Sequence, residues 1–173
     1  LVVQLSTGGS VTDPLERRLT VLDAEPDACS LTCGTTNFGD GVFLNPWGFL
    51  VELYRQTQDR QVVPEFELFE LGHVQALSRL LDECGLPHGG KVHVDFVTGV
   101  PGGMPGTPQA LLAGVAMLPP EVTSWSATGI GRAHLPIAAT ALAAGGHLRV
   151  GMEDNLVYAK GRPVAHNREL VAR

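Results

Sequence analysis

Lys91-Val92-His93-Val94-Asp95-Phe96-Val97 carries the clearest architectural information in the chain. Side chains along a β-strand point alternately to its two sides. One side of this predicted strand is therefore apolar and the other ionisable, with Val92, Val94 and Phe96 opposite Lys91, His93 and Asp95. Strands of open parallel sheets are buried on both faces and read as continuous apolar runs. The split pattern instead indicates a barrel, in which helices cover the apolar face and ionisable groups fill the interior.

Two further predicted strands repeat this split. Glu65 and Glu67 alternate with apolar residues in one, and His147 and Arg149 do so in the other. A solvent-exposed edge strand would explain a single case. The recurrence of the pattern in separate strands favours a barrel interior.

Predicted strands and helices alternate along the whole chain at a spacing of about 30 residues, which indicates a parallel α/β sheet. Strands are predicted at residues 2–6, 28–32, 62–68, 92–97, 123–128 and 147–151, and helices at 13–22, 46–58, 72–84, 109–118 and 132–143, with a further helix starting at 167. This gives six βα units, whereas a (β/α)8 TIM barrel needs roughly 250 residues. We therefore expect a single TIM-barrel domain over residues 1–173 that lacks two N-terminal βα units and a C-terminal tail. A complete six-stranded open sheet is the alternative.

The amino-acid composition argues against a nucleic-acid-binding protein, a membrane protein and a disulfide-rich secreted protein. The 173 residues are 44% hydrophobic and 17% charged, with a net charge of −6 and no cluster of Lys or Arg. We expect no nucleic-acid partner and no binding to an anionic membrane surface. No apolar run reaches the roughly 18 residues that a membrane span needs. Cys29, Cys33 and Cys84 make no disulfide framework, which fits a reducing, cytoplasmic setting.

Candidate functional residues follow the predicted strands, because barrel enzymes act at the C-terminal ends of their strands. Glycines in such loops let backbone N–H groups approach a ligand oxygen closely. The segments at this address are residues 6–10, 30–39, 65–69, 99–106, 126–132 and 149–155. In the last of them, Glu153 is a candidate metal ligand and Asp154 a candidate base held by Arg149. An acidic loop paired to Arg149 is the structural alternative.

Taken together, these segments resemble the signature segments of the β-keto acid cleavage family, typified by 3-keto-5-aminohexanoate cleavage enzyme. The matching residues occur in the family's order and span nearly the whole chain. They are Gln4-Leu5-Ser6-Thr7-Gly8-Gly9, Ser30-Leu31-x-x-Gly34-x-x-Asn37-Phe38-Gly39, Glu67-x-x-x-Leu71-Gly72-His73, Gly99-Val100-Pro101-Gly102-Gly103-Met104-Pro105, Thr128-Gly129-Ile130-Gly131-Arg132 and Arg149-Val150-Gly151-Met152-Glu153-Asp154-Asn155-Leu156.

The resemblance implies a reaction and a set of roles. Family members condense a β-keto acid with acetyl-CoA and cleave the adduct by a retro-Claisen step to acetoacetate and a new acyl-CoA. By position, Arg149 and Asp154 are the catalytic pair and Glu153 a ligand of a divalent metal, most simply Zn²⁺. The substrate-binding residues are then Ser6, Thr7, Gly8, Gly9, Ser30 and Glu67, with Glu67 available to read the substrate side chain. A homotetramer is the expected assembly.

One departure from the family is plain. The metal is normally held also by two histidines of a His-x-His motif on an early strand, and this chain contains none. That segment would lie upstream of Leu1. Two other hypotheses stay open: a metal-dependent aldolase-like barrel that acts without CoA, and a truncated, non-catalytic barrel that only binds an acyl ligand.

Overall fold

The computed structural model of the protein describes residues 2–173. Its strands are β1 (Gln4–Leu5), β2 (Ala28–Thr32), β3 (Thr36–Phe38), β4 (Gly41–Phe43), β5 (Val63–Leu68), β6 (Val92–Thr98), β7 (Val122–Gly129), β8 (His147–Leu148), β9 (Val157–Ala159) and β10 (Arg162–Pro163). Its α-helices are α1 (Leu15–Leu19), α2 (Trp47–Asp59), α3 (Leu71–Cys84), α4 (Pro108–Ala116), α5 (His134–Ala143) and α6 (Asn167–Val171).

Six of these strands form one sheet in the order β1-β2-β5-β6-β7-β8, and each neighbouring pair is parallel. The spatial order follows the chain order without a reversal. Since βα crossovers are right-handed, such a sheet receives its connecting helices on one side. A doubly wound sheet reverses its strand order at a switch point, and this sheet does not. The fold is therefore α/β and forms part of a (β/α)8 barrel, as the strand faces predict.

The two faces of the sheet differ in the predicted way. The outer face packs against the helices and supplies buried apolar side chains from β5 and β6, including Phe66, Val94 and Phe96. The inner face carries Glu67 and Asp95, which are neighbours in register and are 9% and 0% exposed. Burying carboxylates is costly unless they are hydrogen-bonded, so these two groups need partners within the interior.

The predicted helix at residues 13–22 is shorter in the structure. Asp13 lies before the helix, and its carboxylate accepts the Ser10 N–H at 2.7 Å. Pro14 occupies the cap position, α1 ends at Leu19, and a 3₁₀ turn, Thr20–Ala24, follows. The last predicted strand is also shorter, since β8 ends at Leu148. Arg149 still donates its N–H to the Ala127 carbonyl at 3.3 Å.

Local sequence signals mark the start of α4 and the end of α3. The Thr107 hydroxyl accepts the Ala110 N–H and Pro108 starts α4. Gly85, with φ 79°, follows α3. Within residues 2–173, no helix combines the length and apolar composition that crossing a bilayer requires. Cys29, Cys33 and Cys84 are free thiols, and the first two are buried in the core.

Candidate active site

A cavity of about 300 Å³ opens where the sheet strands end. It collects residues from the segments that follow β1, β5, β6, β7 and β8, which is the usual location of a barrel active site. Among the predicted site residues, its walls include Ser6, Gly8, Gly9, Glu67, Arg149, Glu153 and Asp154. Thr7 and Ser30 lie behind this wall.

Arg149 is the centre of this cavity's polar wall. Its Nη1 donates to Glu67 Oε1 at 2.9 Å, across 82 residues of sequence. Its Nε and Nη2 donate to the two oxygens of Asp154, at 3.3 and 3.1 Å. The planar guanidinium therefore joins a carboxylate of β5 to one in the loop after β8, a geometry that a lysine ammonium cannot reproduce.

Burial controls the protonation of these carboxylates. Burial raises the pKa of Glu67 to about 7, although Arg149 and the Thr32 hydroxyl, which donates to Glu67 Oε2 at 2.9 Å, partly offset it. Burial also raises the pKa of Asp154 above its ordinary value and outweighs Arg149. Arg149 lowers the pKa of Asp154 through its charge and its hydrogen bonds, but the effect of burial is larger and the net shift is upward. Burial opposes the charge of Arg149 itself, but attraction to its carboxylate neighbours is stronger in sum and raises the Arg149 pKa.

Asp95 extends the polar interior beside Glu67. It is fully buried and accepts the hydroxyls of Ser126 and Thr128, both at 2.6 Å. Burial raises its pKa to about 6, against the effect of these two hydrogen bonds. His93, whose ring nitrogens lie 2.7 Å from Ser124 Oγ and 3.2 Å from Ser126 Oγ, continues the network.

The loop after β1 is held from behind. Thr7 is buried; its N–H donates to Ser30 Oγ at 3.2 Å and its hydroxyl donates to the Ser30 carbonyl at 2.7 Å. The predicted substrate-binding residues Thr7 and Ser30 thus bond to each other, while Ser6, Gly8 and Gly9 line the cavity. The family resemblance assigns all five residues to substrate binding. In the structure, three of them line the cavity, whereas Thr7 and Ser30 hold the loop in place from behind.

Arg18 is a supporting residue that sequence reasoning missed. It is 4% exposed, and its guanidinium donates to the Thr7 carbonyl, the Leu44 carbonyl and Asn45 Oδ1 at 2.6–2.7 Å. It thereby ties the loop after β1 to the segment that precedes α2. Its position in an ordinary amphipathic helix offers no sequence signal for this role.

A small hairpin, β3–β4, supplies the apolar wall opposite Arg149. Phe38 and Phe43 come from this hairpin and line the cavity, and the Phe38 ring meets that of Phe69 edge-on at 6.0 Å. Sequence reasoning placed residues 30–39 at the site but not as a hairpin. The signal was present, because Gly-Asp is typical of a two-residue hairpin turn, and Gly39 has φ 60°.

The glycine-rich loop at 99–106 serves packing as well as the cavity. Val100 and Pro101 line the cavity. Gly102 has φ 94°, and a Cβ there would meet the Asn37 Cβ at 2.6 Å. At this position the glycine admits the β3–β4 hairpin rather than a ligand.

Glu153 is the predicted metal ligand. Its side chain is 86% exposed, and the carboxylate lies 3.6 Å from Arg149 Nη2. Across residues 2–173, no group of three or more His, Cys, Asp or Glu side chains is arranged to hold a metal ion. A catalytic zinc usually has three protein ligands. The residues described here therefore do not fit a metal centre by themselves.

Comparison with known proteins places this site in context. The chain is 36% identical over 173 residues to 3-keto-5-aminohexanoate cleavage enzyme of Acetoanaerobium sticklandii, covering 99% of this chain and 62% of the relative. It is 38% identical over 168 residues to 3-dehydrocarnitine:acetyl-CoA trimethylamine transferase of Rhizobium meliloti, covering 96% and 55%. The chain thus spans less than two-thirds of the length of these relatives.

A solved structure agrees with the fold. The ternary complex of ObcA with C4-CoA adduct and oxalate matches with a TM-score of 0.76 at 20% identity, covering 98% of this chain and 47% of ObcA. At that identity the likeness supports the TIM-barrel architecture alone. The family model for beta-keto acid cleavage enzyme matches residues 1–173, and the chain belongs to this family.

Proposed function

We propose that the complete protein carrying these residues transfers an acetyl group from acetyl-CoA to the α-carbon of a β-keto acid and releases acetoacetate. The observation that carries this proposal is the Glu67–Arg149–Asp154 network at the edge of a cavity of about 300 Å³. Family membership and the acetyl-CoA named for the Rhizobium meliloti relative give the reaction class.

The proposed reaction balances without a redox partner. The α-proton of the β-keto acid moves to the Asp154 carboxylate, and the α-carbon forms a bond to the acetyl carbonyl carbon while the acetyl C–S bond breaks and releases the CoA thiolate. The thiolate sulfur then forms a bond to the keto carbonyl carbon, and the bond between that carbon and the α-carbon breaks. The α-carbon takes back the proton held by Asp154. Acetoacetate and a new acyl-CoA are the products.

Residue roles follow from the wall of the cavity. Asp154 is the proposed base, because it is held by two hydrogen bonds from Arg149 and faces the cavity. A positioned base whose pKa is raised toward the working pH is well suited to abstract a proton. Arg149 is proposed to stabilise developing negative charge. Ser6, Gly8, Gly9 and Glu67 contact the keto acid, while Thr7 and Ser30 position the loop after β1.

A divalent metal, most simply Zn²⁺, is the cofactor that the family resemblance implies, and Glu153 is proposed as one of its ligands. Its carboxylate lines the cavity, is 86% exposed and has Arg149 Nη2 as a neighbour at 3.6 Å. The remaining ligands would have to come from outside the described residues, and none of the roles above relies on the metal. In the complete protein, we expect Glu153→Gln to lower the bound metal per chain in elemental analysis. Unchanged stoichiometry would contradict the assignment.

The proposed function is tested by incubating the complete protein with a panel of β-keto acids and acetyl-CoA carrying labelled carbon in its acetyl group. We expect the label in acetoacetate and a new acyl-CoA in equal amount. Cleavage of a keto acid without acetyl-CoA would favour the aldolase-like alternative. No turnover and no bound metal would favour the non-catalytic one.

The setting of the protein also belongs to this proposal. The three free cysteines support a reducing, cytoplasmic compartment. A homotetramer is proposed from family resemblance. Size-exclusion chromatography with light scattering on the complete protein tests the assembly.

A further inference from the structure

His73 lies behind the apolar wall of the candidate active-site cavity. It belongs to the first turn of α3, is only 5% exposed, and does not itself line the cavity. Its Nδ1 accepts the backbone N–H of Phe69, which does line the cavity, at 3.1 Å. A ring nitrogen that accepts carries no proton, so the imidazole is neutral and its single N–H is on Nε2. Burial lowers the pKa of His73, and the Thr35 backbone opposes this only in part, which agrees with a neutral ring.

The bond to His73 completes the backbone pairing of Phe69. Phe69 directly follows the last residue of β5 and, two positions after Glu67, lies on the same inner face. Its side chain is 6% exposed and its ring meets that of Phe38 edge-on. A buried N–H without an acceptor is costly, and His73 supplies that acceptor, while the Phe69 carbonyl accepts the Met104 N–H at 2.8 Å. Both backbone groups of this wall residue are therefore held from behind the cavity.

The imidazole ring also fills the space against Gly34, in the loop after β2. A Cβ at Gly34 would come within 2.6 Å of both Cδ2 and Nε2 of the ring, so glycine leaves room for it. Among residues 2–173, the buried Nε2 has no hydrogen-bond partner of normal geometry. An apolar side chain would fill the same space without an unpaired N–H. The histidine is therefore best explained by what its Nδ1 does for Phe69, and not by packing alone.

We propose that His73 is a positioning residue that determines how the site accepts the side chain of the keto acid. By holding Phe69 at the end of β5, it fixes the apolar wall that Phe69 and Phe38 form opposite Arg149. Without the acceptor at Nδ1, the buried N–H of Phe69 has to move toward water or another acceptor, and the ring of Phe69 moves with it. This inference rests on the proposed function and adds a residue that controls substrate specificity without touching the substrate.

Amide hydrogen exchange of the complete protein tests the contact without any substrate. We expect the Phe69 amide to be protected in the parent and to exchange roughly tenfold faster in His73→Leu, which keeps an apolar side chain but removes the acceptor. His73→Asn places an amide oxygen where Nδ1 was and should retain the protection. Gly34→Ala keeps the histidine but displaces its ring, and should resemble His73→Leu. His88→Leu, at an exposed histidine after α3, is the matched control.

Steady-state kinetics of the same variants distinguishes positioning from stability. The substrates are saturating acetyl-CoA and the β-keto acid that the parent uses fastest in the labelled panel. We expect His73→Leu and Gly34→Ala to raise the KM for the keto acid by roughly tenfold, the scale of one lost hydrogen bond. The values of kcat and of the KM for acetyl-CoA should change much less, and His73→Asn should keep a KM close to that of the parent. A purely structural role would instead lower the fraction of folded enzyme, which lowers the apparent kcat and leaves KM unchanged.

The inference fails on any of three results. Unaltered Phe69 exchange in His73→Leu would show that the bond to Nδ1 does not hold the backbone. Faster exchange with an unchanged KM for the keto acid, or a lower kcat alone, would leave His73 with a structural role only. A KM raised equally in His73→Asn would show that the acceptor at Nδ1 is not what matters. If the parent itself turns over no keto acid with acetyl-CoA, the proposed function fails, and the role of His73 in specificity fails with it.

Discussion

At the scale of single residues, the site depends on how one guanidinium is shared. Arg149 donates to Glu67, 82 residues away in the chain, and to both oxygens of Asp154, five residues away, so three ionisable groups act as a unit. Removing one member of such a unit leaves the others buried and incompletely paired. Each substitution here can therefore change both the chemistry and the packing of the site. Its test needs a measurement, such as kcat or hydrogen exchange, that reports the chemical step alone.

The first prediction at this scale concerns the proposed base. Asp154→Asn keeps the shape of the side chain but cannot accept a proton at neutral pH. We expect kcat of the complete protein to fall by roughly 10²–10⁴-fold, with a small change in KM for the keto acid. Arg149→Lys should also lower kcat, because a single ammonium group cannot donate to both carboxylates in this planar geometry.

Hydrogen exchange at the α-carbon of the keto acid, followed by NMR without acetyl-CoA, isolates this step. The parent protein should exchange that proton, and Asp154→Asn should exchange it far more slowly. Equal exchange rates would show that another group is the base.

A second prediction uses the buried carboxylate of Glu67. Its pKa is raised to about 7 because it is buried, so between its ordinary pKa of 4.5 and pH 7 the folded state binds more protons than the unfolded state. The free energy of unfolding should therefore fall as pH rises through this window. Glu67→Gln should flatten that fall.

Urea unfolding of the parent and of Glu67→Gln at several pH values between 4.5 and 7.5 measures the effect. Asp95, whose pKa is raised to about 6, and Asp154, whose pKa is also raised, add falls of the same sign in both proteins. The difference between the two proteins reports Glu67 together with its charge coupling to Asp95. Parallel pH profiles would contradict the prediction.

At the scale of elements, the β3–β4 hairpin and the loop at 99–106 form one packed unit. The Gly39 N–H donates to the Pro101 carbonyl at 2.9 Å, and Gly102 lies against Asn37. Both elements put apolar side chains into the cavity that contains Arg149. The shape of that cavity therefore depends on a contact between two loops rather than on the sheet alone.

The prediction at this scale is that Gly102→Ala displaces the hairpin. Alanine at this position would have to keep a backbone φ of 94°, which L-residues rarely adopt. Its Cβ would also lie 2.6 Å from the Asn37 Cβ. We expect a loss of about 1–3 kcal/mol in the free energy of unfolding. The KM for the keto acid should also rise, because Phe38 moves with the hairpin.

Gly48→Ala is the matched control. Gly48 lies in α2, and a Cβ there meets nothing within 4 Å. Alanine should stabilise that helix by about 0.5–1 kcal/mol. Chemical unfolding measures the free energy of unfolding of both variants. A Gly102→Ala protein as stable as the parent would show that the hairpin contact does not contribute to stability.

At the scale of the whole molecule, the sheet of residues 1–173 has two open edges, β1 and β8. Each contributes only two residues to the sheet. Unpaired strand edges are sites of association with other chains. We expect residues 1–173, expressed alone, to associate or aggregate and to lack acetyl transfer. Light scattering and the labelled acetyl-CoA assay measure both, and an active monomer would contradict the prediction.

Most of the α/β alternation could be read from the sequence. Alternation of apolar and ionisable residues along Val92–Thr98 and Val63–Leu68 is a local pattern of period two, and it correctly assigns inner and outer faces. Helix ends marked by Thr107 and Gly85 are local too, because caps satisfy groups within one turn. The short hairpin at Gly39-Asp40 was also readable, and it was missed because its strands have only three residues each.

Contacts between residues far apart in the chain were determined only by the tertiary structure. The sequence places Glu67 and Arg149 at the ends of strands, but only the curvature and register of the sheet bring them to 2.9 Å. It also pairs Asp154 with Arg149, which lowers the pKa of that carboxyl, but only the folded structure shows that burial outweighs this pairing and raises the pKa. Local patterns depend on neighbours within a few residues, and the sequence contains them directly. Distances and desolvation depend on every element packed around a group, so they exist only once the chain has folded.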